Sequence, residues 1–149
     1  MTDIDTDKLQ NDPDALKALN DNVVGEFRTN GGRVGGPFEG ADIVLLTTTG
    51  AKSGQPRLSP LAYFTIDGRI LILGSFGGAP KDPAWVHNLR ANAEARVEIG
   101  AEAYGVIARE LPPTEREDIL PNVIAAAPVF AEYQAKTTRV IPIFELQRV

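Results

Sequence analysis

Leu16, Leu19, Val23 and Phe27 recur at three- and four-residue intervals, which puts them on one face of a helix whose other face is polar. Asn11-Asp12 before Pro13-Asp14 predicts where that helix starts, because a capping side chain satisfies an orphan N–H and proline has none to lose in the first turn. Asn30-Gly31-Gly32 predicts its end, so the helix spans 13–30. Such a helix packs on a core; docking on a membrane surface is the alternative, but its polar face is acidic and anionic lipid repels it. Residues 1–12 are polar and acidic and are expected to be flexible. Residues 31–42 carry five glycines and Pro37 among few apolar side chains and read as a loop.

From Ile43 the period changes. Short runs rich in β-branched and apolar residues at 43–49, 58–66, 69–75, 94–99, 103–111 and 140–147 predict six strands. Asp67-Gly68 is a two-residue hairpin signal, and residues 100–102 can turn the chain between the fourth and fifth runs. Strands joined by tight turns are antiparallel, so the pattern predicts a mainly β barrel or sandwich rather than a doubly wound sheet. Two helical insertions interrupt it. One, at 83–91, opens on Asp82 and a proline and sets Trp85 and Asn88 one turn apart. The other starts at Thr114-Glu115-Arg116-Glu117, which has capping-box spacing, and Pro121 is expected to limit or kink it before 122–127. Without a repeat or linker, residues 1–149 read as one domain, with the β part at 43–149.

Composition narrows the chemistry. The 149 residues are 43% apolar and 23% charged, a globular balance, and hold no cysteine, which excludes dithiol redox chemistry, zinc ribbons and thiolate-held iron–sulfur clusters. A net charge of −5 argues against a nucleic-acid partner. No apolar run approaches the ~20 residues that span a bilayer. The first seven residues hold three aspartates and no basic stretch, so no secretory signal is expected and the cytoplasm is the expected location, with peripheral contact to the inner membrane face left open. His87 is the single histidine, so no metal site is expected and His87 reads as structural.

The charge is unevenly placed. Residues 43–81 hold Lys52, Arg57, Arg69 and Lys81 against Asp67 alone, a local +3 in an acidic chain. Such an island is a candidate receptor for a small anion or a chance fluctuation of solvated side chains. Within it, Thr47-Thr48-Thr49-Gly50-Ala51-Lys52-Ser53-Gly54-Gln55-Pro56-Arg57 sets backbone N–H groups, a hydroxyl, an ammonium and a guanidinium between two strands, where they could converge on one anion. It is not a Walker loop, since Ala51 precedes the lysine and a strand follows; an ordinary hairpin loop is the other reading. In Gly74-Ser75-Phe76-Gly77-Gly78-Ala79-Pro80-Lys81-Asp82-Pro83-Ala84-Trp85, glycines after a strand permit close approach of a flat ligand and Ser75 offers a hydroxyl. Trp85 could serve as platform or as core. Phe130 and Tyr133, three apart, share a helical face; Tyr133 could donate a proton, line a pocket or pack on the barrel.

In order, these segments resemble the deazaflavin-dependent nitroreductase family of actinobacteria, proteins that bind coenzyme F420. The likeness covers about residues 43–142. The first loop resembles the family's T-x-G-x-K-S-G-x-x-R signature, and the second resembles its G-G-x-x-x-x-P-x-W segment, followed here by Asn88-Leu89. The resemblance implies a split β-barrel of six to seven antiparallel strands. It implies that Lys52, Ser53, Gln55, Pro56 and Arg57 hold the cofactor's phosphate and acidic tail. It also implies that Ser75, Gly77, Gly78, Lys81, Pro83, Trp85 and Asn88 lie beside its ring. Ser75 and Tyr133 are the candidate catalytic residues, Ser75 for a hydrogen bond near the ring or substrate carbonyl and Tyr133 for substrate packing or protonation. Some members carry lysine where Phe76 stands and tyrosines where Ala127 and Phe130 stand, so reduction of nitroimidazoles lies outside what the resemblance implies. The expected activity is hydride transfer from reduced F420 to a flat electron-poor acceptor such as a quinone, a nitro compound or an activated alkene. A noncatalytic carrier of F420 or FMN and a fold-only interaction module are the alternatives. The oligomeric state is left open.

Overall fold

The structure, a computed structural model, describes residues 13–35 and 41–149; the capping residues Asn11 and Asp12, residues 1–12 as a whole and Pro37 lie outside them. Helix α1 spans Pro13–Thr29. The strands are β1 (Ile43–Thr49), β2 (Pro56–Ala62), β3 (Phe64–Ile66), β4 (Arg69–Leu73), β5 (Glu94–Ile99), β6 (Glu102–Glu110) and β7 (Ile143–Arg148). Helices α2 (Ala84–Ala91), α3 (Pro113–Ala126) and α4 (Val129–Ala135) and a 3-10 turn at Phe76–Gly78 complete the elements of the described residues.

All strands pair antiparallel in one sheet of order β2-β1-β5-β6-β7-β4-β3. That order forces the sheet to curl. Laid flat, its two edge strands would stand roughly 29 Å apart at the usual interstrand spacing. Yet β2 and β3 are consecutive in the chain, and the single residue Tyr63 between them spans about 7 Å at most. The sheet therefore closes on itself until its edges meet at Tyr63 without pairing, which is a split β-barrel.

Alternation along the strands assigns each face. Val44 and Leu46 of β1, Ile72 of β4 and Phe144 of β7 join an interior cluster that α2 fills with Trp85, Val86 and Leu89. Their neighbours point outward: Ile43 and Leu45 meet Val23 and Phe27 of α1, while Leu71 and Ile143 meet Ile119 and Val123 of α3. Covering both faces explains why four consecutive residues of β1, from Ile43 to Leu46, are buried. Leu19, Val23 and Phe27 of the stripe predicted on α1 lie on the face it buries. Asp67 and Gly68 both take positive φ, as the two-residue hairpin between β3 and β4 requires.

Four expectations are corrected. The run 58–66 is not one strand but β2 and β3, which pair with different partners, β1 and β4. The runs 69–75 and 140–147 are shorter as strands: β4 ends at Leu73 and β7 starts only at Ile143, with Gly74 N–H still donating to Pro142 O at 2.9 Å beyond the paired residues. Pro121 does not end α3, whose opposite face is anchored by buried Arg116, Ile119 and Val123; nor does Thr114 cap it, because Pro112 is the N-cap residue and no side chain caps the helix. Asp82 likewise does not cap α2, which begins at Ala84 with Pro83 as its N-cap residue and no side-chain cap. Its carboxylate is taken instead by Arg90 at 3.0 Å and Arg139 at 2.8 Å.

Candidate active site

The loop joining β1 to β2 is closed by Gly50 N–H on Gln55 O (2.8 Å) and Gly54 N–H on Gly50 O (2.9 Å). Ser53 Oγ folds over Gly50 so closely that a Cβ there would lie 2.5 Å from it, so a larger residue at position 50 would displace the Ser53 hydroxyl. The same Oγ accepts Gln55 N–H at 3.2 Å and Arg57 Nη2 at 3.3 Å. Ser53 thus shapes the loop and aims Arg57. Lys52 and Arg57 are exposed, and neither forms a salt bridge among the described residues. A cation without an internal carboxylate partner is available to an external anion.

Asn88 fixes this loop to the barrel. It is 6% exposed; its Oδ1 accepts Ala51 N–H at 2.9 Å and its Nδ2 donates to Thr48 Oγ1 at 3.0 Å. Both ends of the amide are committed, so Asn88→Leu should orphan the Ala51 N–H and loosen the cationic loop. The expected loss is about 1–3 kcal/mol of stability, the cost of a buried polar group left unpaired, measurable by urea denaturation. A change under 0.5 kcal/mol, on the order of a surface substitution, would contradict the role.

Trp85 is 5% exposed and meets the Phe144 ring edge-on, with centroids 5.7 Å apart at 66°. It belongs to the core cluster and also lines a cavity of about 900 Å³. The cavity is bounded by the β1–β2 loop, by residues 58–62 of β2, by Ser75 and Phe76, by α2 and by residues of the segment 127–133. Its volume falls in the upper part of the ~300–1,000 Å³ range of small-molecule sites. Because β2 is a sheet edge, its prolines Pro56 and Pro60 are tolerated there.

Of the residues singled out from sequence, Lys52, Ser53, Arg57, Ser75, Pro83, Trp85, Asn88 and Tyr133 line this cavity. Gln55, Pro56, Gly78 and Lys81 do not. Gly78 has φ +81°, and a Cβ on it would sit 2.9 Å from Tyr133 O and 3.0 Å from the Lys136 Cβ. Its bareness lets the 3-10 turn rest on α4. Gly78→Ala is therefore expected to lower the melting temperature by several degrees, roughly 1–3 kcal/mol for a strained φ, measured by thermal unfolding. No change in melting temperature would contradict this close-packed role.

His87, read from sequence as structural, is exposed and lines the cavity. Its three-residue spacing from Ala84, which also lines the cavity, puts the two on one face of α2. Leu19 and Asn20 of α1, Phe64 and Val129 also line it, and no local pattern marks them. Among the described residues no group of His, Asp or Glu could hold a metal ion, and no helix is long and apolar enough to cross a membrane.

A curled antiparallel barrel of this kind has solved counterparts. A structure of an F420-H2 dependent reductase (FDR-A) matches with a TM-score of 0.63 at 43% identity, over 71% of this chain and 94% of that one. A protein solved as a domain-swapped dimer matches with a TM-score of 0.65 at 37% identity, over 91% and 98%. An F420H(2)-dependent quinone reductase of Mycobacterium tuberculosis is 36% identical over 126 residues, covering 82% of this chain and 85% of the relative. The model of the F420H(2)-dependent quinone reductase family matches residues 21–148. The chain belongs to that family and is an F420-dependent reductase, which agrees with the resemblance carried by the two motifs.

The residues present fit that cofactor, whose phosphodiester and glutamate tail require a cationic receptor and whose flat ring requires an apolar slot. Lys52 and Arg57 stand exposed beside a cavity walled by Leu58, Leu61, Pro83, Trp85 and Phe130.

Proposed function

We propose that this protein reduces a quinone, or a similarly flat electron-poor acceptor, at the cavity between the β1–β2 loop and α4, with coenzyme F420 as the reductant. When bound, the reduced deazaflavin supplies a hydride, a two-electron transfer for which the protein needs no thiol or metal. The chain's own residues bind, orient and exclude water.

Lys52 and Arg57 grip the anionic tail through charge-assisted bonds, and Ser53 and Asn88 hold the loop in the shape that presents them. Pro83 and Trp85 give the ring a rigid apolar wall. Ala127, Val129 and Phe130 present apolar surface to the acceptor and keep water from it. The Ser75 hydroxyl is the nearest candidate to donate a hydrogen bond to the ring or to an acceptor carbonyl, and the Tyr133 O–H is the candidate proton source for the reduced acceptor oxygen. Replacing tyrosine by Ala127 and Phe130 makes this part of the wall purely apolar, which suits a quinone better than a nitroimidazole.

One observation carries the reading: exposed cations that form no salt bridge among the described residues border a largely apolar cavity of about 900 Å³. Its test is anaerobic mixing of the protein with reduced F420 and menadione, following the return of the oxidised deazaflavin absorbance. Saturable, enzyme-dependent turnover is expected. Tight binding of F420 with no acceleration over the protein-free rate would instead make the protein a carrier.

A further inference from the structure

Arg139 does not line the cavity, yet it holds two of its walls. Its Nη1 donates to Gly74 O (3.1 Å) and to Asp82 Oδ1 (2.8 Å), its Nη2 to Ser75 O (2.8 Å) and its Nε to Ala79 O (2.9 Å). Four of the five guanidinium N–H groups are thus committed to the segment between β4 and α2. Its own carbonyl accepts Gln134 Nε2 of α4 at 2.7 Å. Gln134 Oε1 accepts Ile141 N–H and Arg116 Nη2, at 3.0 and 3.1 Å, so α4 is fastened to the same stretch of chain.

The segment held by the guanidinium needs holding. Phe76, which lines the cavity beside Ser75, has φ +46°, a left-handed conformation that a bulky residue rarely adopts. Such a conformation persists only where the surroundings over-determine it. Here Arg139 fixes the carbonyls on either side, at Ser75 and Ala79, while Gly78 seats the turn on α4. Lysine cannot reproduce this, because one nitrogen cannot occupy the positions of three in a planar fork.

We propose that Arg139 is a positioning residue for the reductase reaction: it sets the Ser75–Phe76 wall and joins it to the α4 wall that carries Phe130 and Tyr133. The inference rests on the reading of the cavity as the F420 site. The cationic loop is tied down separately by Asn88, so cofactor affinity and positioning should separate.

The experiment compares unsubstituted protein with Arg139→Lys and Arg139→Ala. In ligand-free protein, amide exchange at Gly74, Gly78 and Ala79 should quicken at least about tenfold, with β1 and β5 amides unchanged, because only local opening is affected. In turnover with reduced F420 and menadione, kcat should fall about tenfold or more in Arg139→Ala and less in Arg139→Lys, as expected when a reacting surface is displaced. The dissociation constant for F420 should stay within about threefold, the split expected of a residue that acts on the transition state rather than on binding. If Arg139→Ala does not fold, Arg139→Lys carries the comparison. Unchanged exchange, an unchanged kcat, or parallel loss of affinity and turnover in a folded variant overturns the proposal while leaving the cavity reading intact. Absence of F420 binding by the unsubstituted protein overturns the cavity reading and the proposal with it.

Discussion

Changing Lys52 and Arg57 together to alanine is expected to weaken F420 binding roughly 30- to 150-fold at low salt while leaving the melting temperature within about 2 °C. A charge-assisted hydrogen bond contributes about 1.5–3 kcal/mol when well shielded, and an exposed ion pair about 0.2–1 kcal/mol. A cation at the mouth of a cavity lies between these limits. Two such contacts give about 2–3 kcal/mol, and each 1.4 kcal/mol is about tenfold in affinity. Both side chains are exposed and neither forms a salt bridge among the described residues, so the fold loses little with them. The affinity of the unsubstituted protein should fall steeply with added salt and that of the variant much less, because screening acts on exposed charges. Titration of F420 fluorescence at two salt concentrations measures both effects. A double variant that binds within threefold of the parent, with the same salt dependence, would move the tail receptor elsewhere.

The largest stability effect is expected at Trp85. Removing its ring opens a hole among Val44, Leu46 and Phe144 and breaks the edge-to-face contact, a change that typically costs about 3–5 kcal/mol. A domain of this size has only about 5–15 kcal/mol of stability, so Trp85→Ala should lose a large share and melt roughly 10 °C or more below the parent. Trp85→Phe keeps most of the apolar volume and should cost less than half as much. Thermal unfolding measures both. A loss below about 1 kcal/mol in Trp85→Ala, the range of an ordinary substitution, would mean the ring is not part of the packed interior.

What local pattern could specify, the sequence made legible. The stripe Leu19, Val23 and Phe27 is the face α1 buries, and Asp67-Gly68 forms the turn its residue types demand. The paired glycines and cations of the β1–β2 loop were readable because their chemistry is local. What depends on closing the sheet was not readable. No glycine or charge interrupts residues 58–66, and only the meeting of the two sheet edges divides that run at Tyr63. Long-range partners escaped for the same reason. Asp82 sits where a cap belongs, but Arg90 and Arg139 reach it first, the second from 57 residues away. His87 reads as structural because a lone histidine has no local signature, whereas its exposure at the cavity follows from the direction in which α2 faces. Gly77 and Gly78 follow a strand, as a ligand-facing turn would, yet Gly78 faces the backbone of α4.

The most direct test of the account is a crystal structure of the full-length protein grown with saturating F420. The account predicts the phosphate and carboxylate tail against Lys52, Ser53 and Arg57, with the deazaflavin ring inside the cavity along Ser75, Pro83 and Trp85. A cofactor bound at another surface, or a cavity left without ligand under those conditions, would contradict it.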